Sequence, residues 1–172
     1  MTFFSGQRAR AADMNDLIDK DSVLPLGIIA RGNRVTSSST TTTEVAVLRL
    51  DDIPVYAGRT YRIWTTPLRL DTSVANDVAR VNLRHTTDGS TPDTSSTLLT
   101  NSQSTLTDAT NANSASIEID YSPAADQLLS VVLTVSRQSG TGNISIVAAS
   151  TVPINLVVED IGLDPGDTGT DL

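Results

Sequence analysis

Across residues 79–159 apolar and polar side chains alternate one for one through five separate runs. That period of two leaves the chain little choice but β-structure. Ala79, Val81, Leu83 and His85 alternate with Arg80, Asn82 and Arg84, and Ile117, Ile119 and Tyr121 with Glu118 and Asp120. Leu129, Val131, Leu133 and Val135 alternate with Ser130, Val132, Thr134 and Ser136. Ile144, Ile146 and Ala148 alternate with Asn143, Ser145 and Val147, and Ile154, Leu156 and Val158 with Asn155, Val157 and Glu159. Each run predicts a strand with one face on a core and a more polar face outward.

Residues 24–30, 44–50 and 59–70 point the same way less cleanly. Pro54 and Pro67 interrupt them, so each belongs at a strand end, an edge or a bulge. Turn chemistry separates the runs at Arg31-Gly32-Asn33, Ala57-Gly58, Asp88-Gly89-Ser90, Ser122-Pro123 and Ser139-Gly140-Thr141-Gly142. About eight short strands without a helical repeat predict an all-β fold, a single β-sandwich. A jelly roll and an immunoglobulin-like Greek key share this pattern and are not separable from it. Residues 37–43, a Ser/Thr run, read as a loop leading into a strand. Residues 98–116, rich in Asn, Ser and Thr, read as a long surface loop.

The first residues follow a different rule. Ala11, Met14, Leu17 and Ile18 fall at helical spacing, with Asp13, Asp16 and Asp19 opposite. A helix of about three turns is marginal in water, so it must lie on its own domain or on a partner. Phe3 and Phe4, the only phenylalanines, precede it. Phe3, Phe4, Met14, Leu17 and Ile18 are therefore the candidate partner-docking residues. The end of the chain, from Ile161 onward, is Gly-, Pro- and Asp-rich and lacks the apolar surface to fold alone. The expected organisation is an arm with a short helix over 1–22, a β-sandwich over 23–160 and an extended acidic tail over 161–172.

Composition narrows the function. The absence of cysteine excludes a thiolate nucleophile, a disulfide framework and a Cys-ligated metal. A net charge of -8 argues against nucleic acid, which requires clustered positive charge. No uncharged apolar run approaches the ~20 residues that span a bilayer, and no basic-then-apolar leader opens the chain. No nucleic acid, membrane or cofactor is expected as a partner.

Catalytic candidates are sparse. His85 is the only histidine and falls on the apolar face of its strand, where a structural role is expected. Paired carboxylates stand at Asp51-Asp52, Glu118/Asp120 and Glu159-Asp160; Glu118 and Asp120 share one strand face but, with nothing aromatic nearby to stack on a sugar, read as a solvated face balanced by Arg80 and Arg84. Asp160, Asp164, Asp167 and Asp171 lack calcium-loop spacing. Asn143-Ile144-Ser145 matches a glycosylation sequon, a short pattern. The residues point away from an enzyme, with no catalytic, cofactor or metal residue. Val132, Val147 and Val157 lie on otherwise polar strand faces, which makes them candidates for an oligomer interface.

The stretch Phe4-Ser5-Gly6-Gln7-Arg8-Ala9-Arg10-Ala11-Ala12-Asp13-Met14-Asn15 resembles the G-Q-x-L-T-A-x-x-L-N leader of many tail-fibre and minor-tail proteins of tailed bacteriophages. Gly6, Gln7, Ala11 and Asn15 match and Met14 replaces Leu; Ala9 and Arg10 depart from Leu-Thr and remove the capping Thr. Val55-Tyr56-Ala57-Gly58-Arg59-Thr60-Tyr61-Arg62-Ile63 resembles the A-G-x-x-Y-R-I strand entry of actinobacterial phage β-sandwiches. Leu156-Val157-Val158-Glu159-Asp160-Ile161-Gly162 is similar to the V-E-D-I-G stretch that closes many of them. The resemblance implies a non-enzymatic virion structural protein, an accessory minor tail, fibre or capsid-surface decoration component. Its implied partners are other virion proteins of capsid or tail and copies of itself, as a homotrimer. Separately, His85-Thr86-Thr87-Asp88-Gly89-Ser90-Thr91-Pro92 resembles the Y-T-x-D-G-S-x-P turn of immunoglobulin-like modules in chitin-degrading enzymes. The alternative it raises is a carbohydrate-binding β-sandwich module; a hydrolase ranks third.

Overall fold

The computed structural model describes residues 24–164, and all regular structure within them is β-strand. The expected arm over 1–22, with Phe3, Phe4, Met14, Leu17 and Ile18, lies outside the described residues, as do residues 165–172. The strands are β1 (Gly27–Arg34), β2 (Val45–Val55), β3 (Arg59–Thr65), β4 (Leu68–Thr72), β5 (Asp77–Thr86) and β6 (Thr97–Leu106). They continue as β7 (Asn113–Ala115), β8 (Glu118–Tyr121), β9 (Gln127–Ser139), β10 (Ile144–Val147) and β11 (Ile154–Leu163).

Pairing is nested. β1 pairs with β11, β2 with β9, β3 with β8 and β5 with β6, all antiparallel. First thus meets last and the innermost pair is a hairpin, as if one long hairpin had been rolled up. The resulting sheet orders are β1-β11-β3-β8 and β2-β9-β5-β6. Nested pairing across two four-stranded sheets is the jelly roll, which settles the choice the alternation left open. A third sheet, β10-β4-β7, continues the first in the same order. The three strands it extends all break at one level. Pro67 separates β3 from β4, Ser116 and Ile117 separate β7 from β8, and residues 148–153 separate β10 from β11. Backbone bonds from Thr65 N to Ile117 O (3.1 Å) and Thr66 N to Asn155 O (3.2 Å) close the gap.

The core lies between the layers. Val81 and Leu83 from β5 and Leu129, Val131, Leu133 and Val135 from β9 join Ile63, Leu70, Ile146, Leu156 and Val158 from the opposite sheets. These are the apolar positions of the alternation. Pro54 falls on the edge strand β2 beside a bulge between Leu50 and Ile53, where a missing N–H is tolerated.

The structure corrects or refines several of these expectations. The stretch 98–116 is not one long loop: its first half, to Leu106, belongs to β6, which pairs with β5 from Asp77↔Leu106 to His85↔Thr97, and residues 113–115 form β7. An edge strand is held by backbone hydrogen bonds, and β6 faces the sandwich with Thr100, Ser102 and Ser104, so it carries no apolar alternation. Residues 37–43 form the expected loop into β2, and they also bond to β10. Ser38 N donates to Ile146 O at 2.9 Å, and Thr41 exchanges 2.8 Å bonds with Ile144, so the loop lines the free edge of β10. Arg84 does not balance Glu118 and Asp120; Asp120 pairs with Arg62 on the adjacent strand at 3.2 Å. Finally, β11 runs to Leu163, three residues into the stretch expected as tail.

The outer face of β9 explains why its polar side is also buried. Glu44 receives Arg84 Nε and Nη2 at 2.6 and 2.8 Å, Asn82 Nδ2 at 2.9 Å and Thr134 Oγ1 at 2.5 Å. Burial raises the Glu44 carboxyl, but the donors from Arg84, Thr134 and Asn82 outweigh it and hold the group below its ordinary value. Val132, flanked in register by Arg49 and Arg84, is fully buried by its own chain. Val157, between Trp64 and Arg31, is 2% exposed. Val147 is half-buried.

Candidate functional site

Because β1 and β11 are antiparallel neighbours, the start of one and the end of the other meet at one end of one sheet. Both terminal segments therefore leave from the same place. That end also carries the β2–β3 turn, the β5–β6 loop and the β8–β9 loop, by strand direction.

A buried ion pair fastens the exit. Arg59 and Asp160, 101 residues apart, occupy core-facing register positions, Arg59 in step with Tyr61 and Ile63 and Asp160 with Leu156 and Val158. Their side chains are 1% and 0% exposed. Arg59 donates Nε and Nη2 to the Asp160 carboxylate at 2.5 and 2.7 Å, and Nη2 also reaches Leu24 O at 2.9 Å. Asp160 Oδ1 accepts Gly162 N at 2.9 Å and Leu26 N at 3.5 Å. One pair thus ties residue 24 at the chain's entry to residue 162 at its exit. The hydrogen-bonded Asp160 carboxylate raises the Arg59 guanidinium above its ordinary value.

Beside this pair lies an apolar cavity of ≈ 210 Å³ lined by Leu26, Ile29, Pro54, Tyr56, Tyr61 and Asp160. Tyr61, whose hydroxyl accepts Tyr56 N at 2.9 Å, is raised in pKa by burial and stays a neutral wall. A second, hydroxyl-lined hollow of ≈ 360 Å³ lies at the same end, where His85, Thr86, Thr87, Asp88, Ser90 and Thr97 surround the β5–β6 loop. Asp88 accepts Ser90 N and Oγ at 3.0 and 2.5 Å, the turn expected from Asp88-Gly89-Ser90. His85 packs edge-on against Tyr121 with ring centroids 5.7 Å apart, and burial lowers its pKa, so the imidazole is neutral.

The carboxylates singled out in the sequence do not converge. Asp51 pairs with exposed Arg49 at 3.1 Å, Asp120 with exposed Arg62, and Asp160 is consumed by Arg59. Among the described residues no three His, Cys, Asp or Glu side chains form a metal-ligand set. The feature sequence reading missed is the Arg59–Asp160 pair, although its signal was present: opposite charges at the core-facing step of two apolar strands.

No family model matches the chain, and no curated protein sequence matches it. Solved structures do. A chain in the structure of infectious bursal disease virus, Gt strain, is 13% identical with a TM-score of 0.41, covering 83% of this chain and 38% of that one. This chain thus spans about two fifths of the viral chain's length. The CBM22-1 xylan-binding domain of Paenibacillus barcinonensis Xyn10C is 12% identical with a TM-score of 0.41, covering 82% and 88%. Eiger TNF from S. frugiperda is 14% identical with a TM-score of 0.37, covering 80% and 99%.

Proposed function

We propose that the chain is a non-enzymatic virion structural protein, an accessory tail, fibre or capsid-surface component that docks on its particle through residues 1–22. The observation that carries this reading is the shared exit of both terminal segments beside the Arg59–Asp160 pair. A segment leaving a rigid, bolted root transmits load to the sandwich without unzipping β1. The leader-like sequence around Gly6 and Gln7 supports it from the other side. Burying Phe3, Phe4, Met14, Leu17 and Ile18 at ~1.5–3 kcal/mol each supplies roughly 7–15 kcal/mol before ordering. Fixing the arm's backbone costs ~1–2 kcal/mol per residue, so several arms acting together make the hold durable.

The test is incorporation. Particles assembled with the full chain, purified on a density gradient and analysed by mass spectrometry, carry it. Particles assembled with a chain lacking residues 1–20 do not, while that shortened chain remains folded and soluble. Equal incorporation of both chains sinks the reading.

The hydroxyl-lined hollow at the β5–β6 loop favours a second reading, a carbohydrate-binding module. Its ring of Thr and Ser hydroxyls with one carboxylate suits sugar hydroxyls, although Trp64 is half-buried on another sheet. Glycan-array binding by the full chain that is lost with Asp88→Ala would establish it.

A further inference from the structure

We propose that β6, the outer strand of the β2-β9-β5-β6 sheet, is an interface between copies of this chain. It pairs antiparallel with β6 of a second copy and joins the two four-stranded sheets into one continuous sheet about a two-fold axis. The inference goes beyond the docking reading and does not depend on it.

The way the fold treats its other edges singles β6 out. An outer strand offers a row of unpaired N–H and C=O groups, and folds blunt such rows with charge, proline, brevity or a covering loop. β1 carries Arg31 and Arg34, and the Arg34 guanidinium reaches Val47 O on β2 at 2.7 Å. β2 itself carries Asp51, Asp52 and Pro54. β8 is four residues long and holds Glu118 and Asp120, β7 is three residues long, and β10 is lined by Ser38 and Thr41. β6 has none of these guards. Its ten residues, Thr97–Leu106, include no charge and no proline, and among the described residues β5 is the one strand paired with it. Past the register shift at Leu83/Arg84 it runs in unbroken register from Thr100 to Leu106.

The chemistry of this edge selects a second copy. Chains of net charge -8 repel one another, and β6 is the long edge where two of them meet without opposing like charges. Asn101 and Gln103 are exposed on the outer face, beside Asn82 and Arg80 of β5. A two-fold axis at Ser102 sets Asn101 opposite the partner's Gln103, and Gln103 opposite the partner's Asn101. Each amide both donates and accepts, so the two pairs satisfy one another reciprocally. Symmetric pairing also uses up the open ladder of both copies, whereas a strand from another protein adds an outer edge of its own. The chain's own terminal segments start from the far side of the sandwich. β1 and β11 belong to the other sheet, and β1 packs against β2, three strands from β6, about 14 Å at ~4.8 Å per strand. The sequence before Leu24 has a helical rather than an alternating pattern, and Pro165, Gly166 and Gly169 disfavour a strand after Asp164.

Sedimentation velocity of the full chain at micromolar concentration tests this, beside two full-length variants. One carries Asn101→Lys with Gln103→Lys, the other Asn101→Glu with Gln103→Glu. Both positions are exposed, so both variants keep the wild-type circular dichroism spectrum. The wild-type chain forms a dimer. Each variant alone sets like charges across the axis and associates at least about 10-fold more weakly, whereas an equimolar mixture of the two dimerises again. Asn101→Thr with Gln103→Thr, neutral and strand-favouring, stays a dimer because the backbone ladder remains. A monomeric wild-type chain overturns the proposal. So does a dimer that the lysine substitutions leave unchanged, or a folded mixture that stays monomeric. If either charged variant loses its spectrum, hydrogen exchange of the wild-type chain decides. Protection of alternate β6 amides should rise with protein concentration. Strong protection at every concentration assigns the edge to the chain's own segments, and no protection at any concentration leaves it in water; either result overturns the pairing.

Discussion

Asp160→Asn is the most informative single change to the sandwich. It removes the charge of a group whose side chain has no exposure, and it leaves the Arg59 guanidinium, 1% exposed, facing a neutral amide. Breaking one partner of a buried pair costs ~3–5 kcal/mol, because the remaining charge has lost its compensation and has no water. In a domain of this size each kcal/mol moves Tm by ~2–4 °C, so the midpoint should fall by about 6–20 °C. The second half of the argument is the double variant Arg59→Met with Asp160→Leu. Replacing a whole buried pair by apolar residues is often neutral or stabilising by ~1–4 kcal/mol. Here it also removes the Arg59 donor from Leu24 O and the Asp160 acceptor from Gly162 N, at ~1–3 kcal/mol each. The double variant should therefore recover much of the loss. Thermal and urea unfolding at neutral pH, followed by circular dichroism, measure both. Hydrogen exchange at Leu26 and along β1 should accelerate in the single variant more than along β9, because the pair bolts the entry of β1. A single variant within about 1 kcal/mol of wild type would refute the reasoning, since that is the cost of a solvated surface pair.

Asp77 holds the turn after β9 by accepting Thr72 Oγ1 (2.6 Å), Thr141 N (2.8 Å) and Gly142 N (3.0 Å), and the Thr72 hydroxyl foremost, with the Gly142 and Thr141 amides, keeps its carboxyl below the usual range. Its stabilisation is present above the unfolded value near ~3.9 and lost as pH falls through the lower folded value, so the Tm gap between wild type and Asp77→Asn should narrow from pH 5 to pH 2. Gly142→Ala puts a Cβ into the Asp77 carboxylate and 2.8 Å from Val74 N, and should cost ~1–3 kcal/mol by urea unfolding. Val132→Asp should cost ~3 kcal/mol or more by the same assay, since it buries a lone charge, whereas Val147→Asp on half-buried β10 should stay within ~1 kcal/mol. Glu44→Gln weakens charge-assisted bonds from Arg84 and should lower stability by ~1.5–3 kcal/mol, with Arg84→Met alone no milder.

What the sequence determined by itself is what a strand needs from its nearest neighbours. Alternation at Ala79–His85, Leu129–Val135 and Ile154–Val158 is a local property, and each run became a strand with the expected face inward. Pro67 ended β3, and the Ser139-Gly140-Thr141-Gly142 signal became the turn that Asp77 holds, with Gly140 at φ 102. The tertiary structure decided what depends on partners far along the chain. Jelly-roll rather than immunoglobulin-like order is a matter of which strand β11 lies beside, and no local period encodes that. β6 exists because β5 offers it a ladder; its Thr, Ser, Asn and Gln side chains pack too little to announce a strand alone. Val132 and Val157 looked like exposed valines on polar faces, but Arg49, Arg84, Arg31 and Trp64 arrive from neighbouring strands and flank them. The cavity beside the arm's root was the least legible. It is built from Ile29 of β1 with Leu26 just before that strand, and Pro54 of β2 with Tyr56 just after that strand, and it exists only where two edges meet across the sandwich without closing.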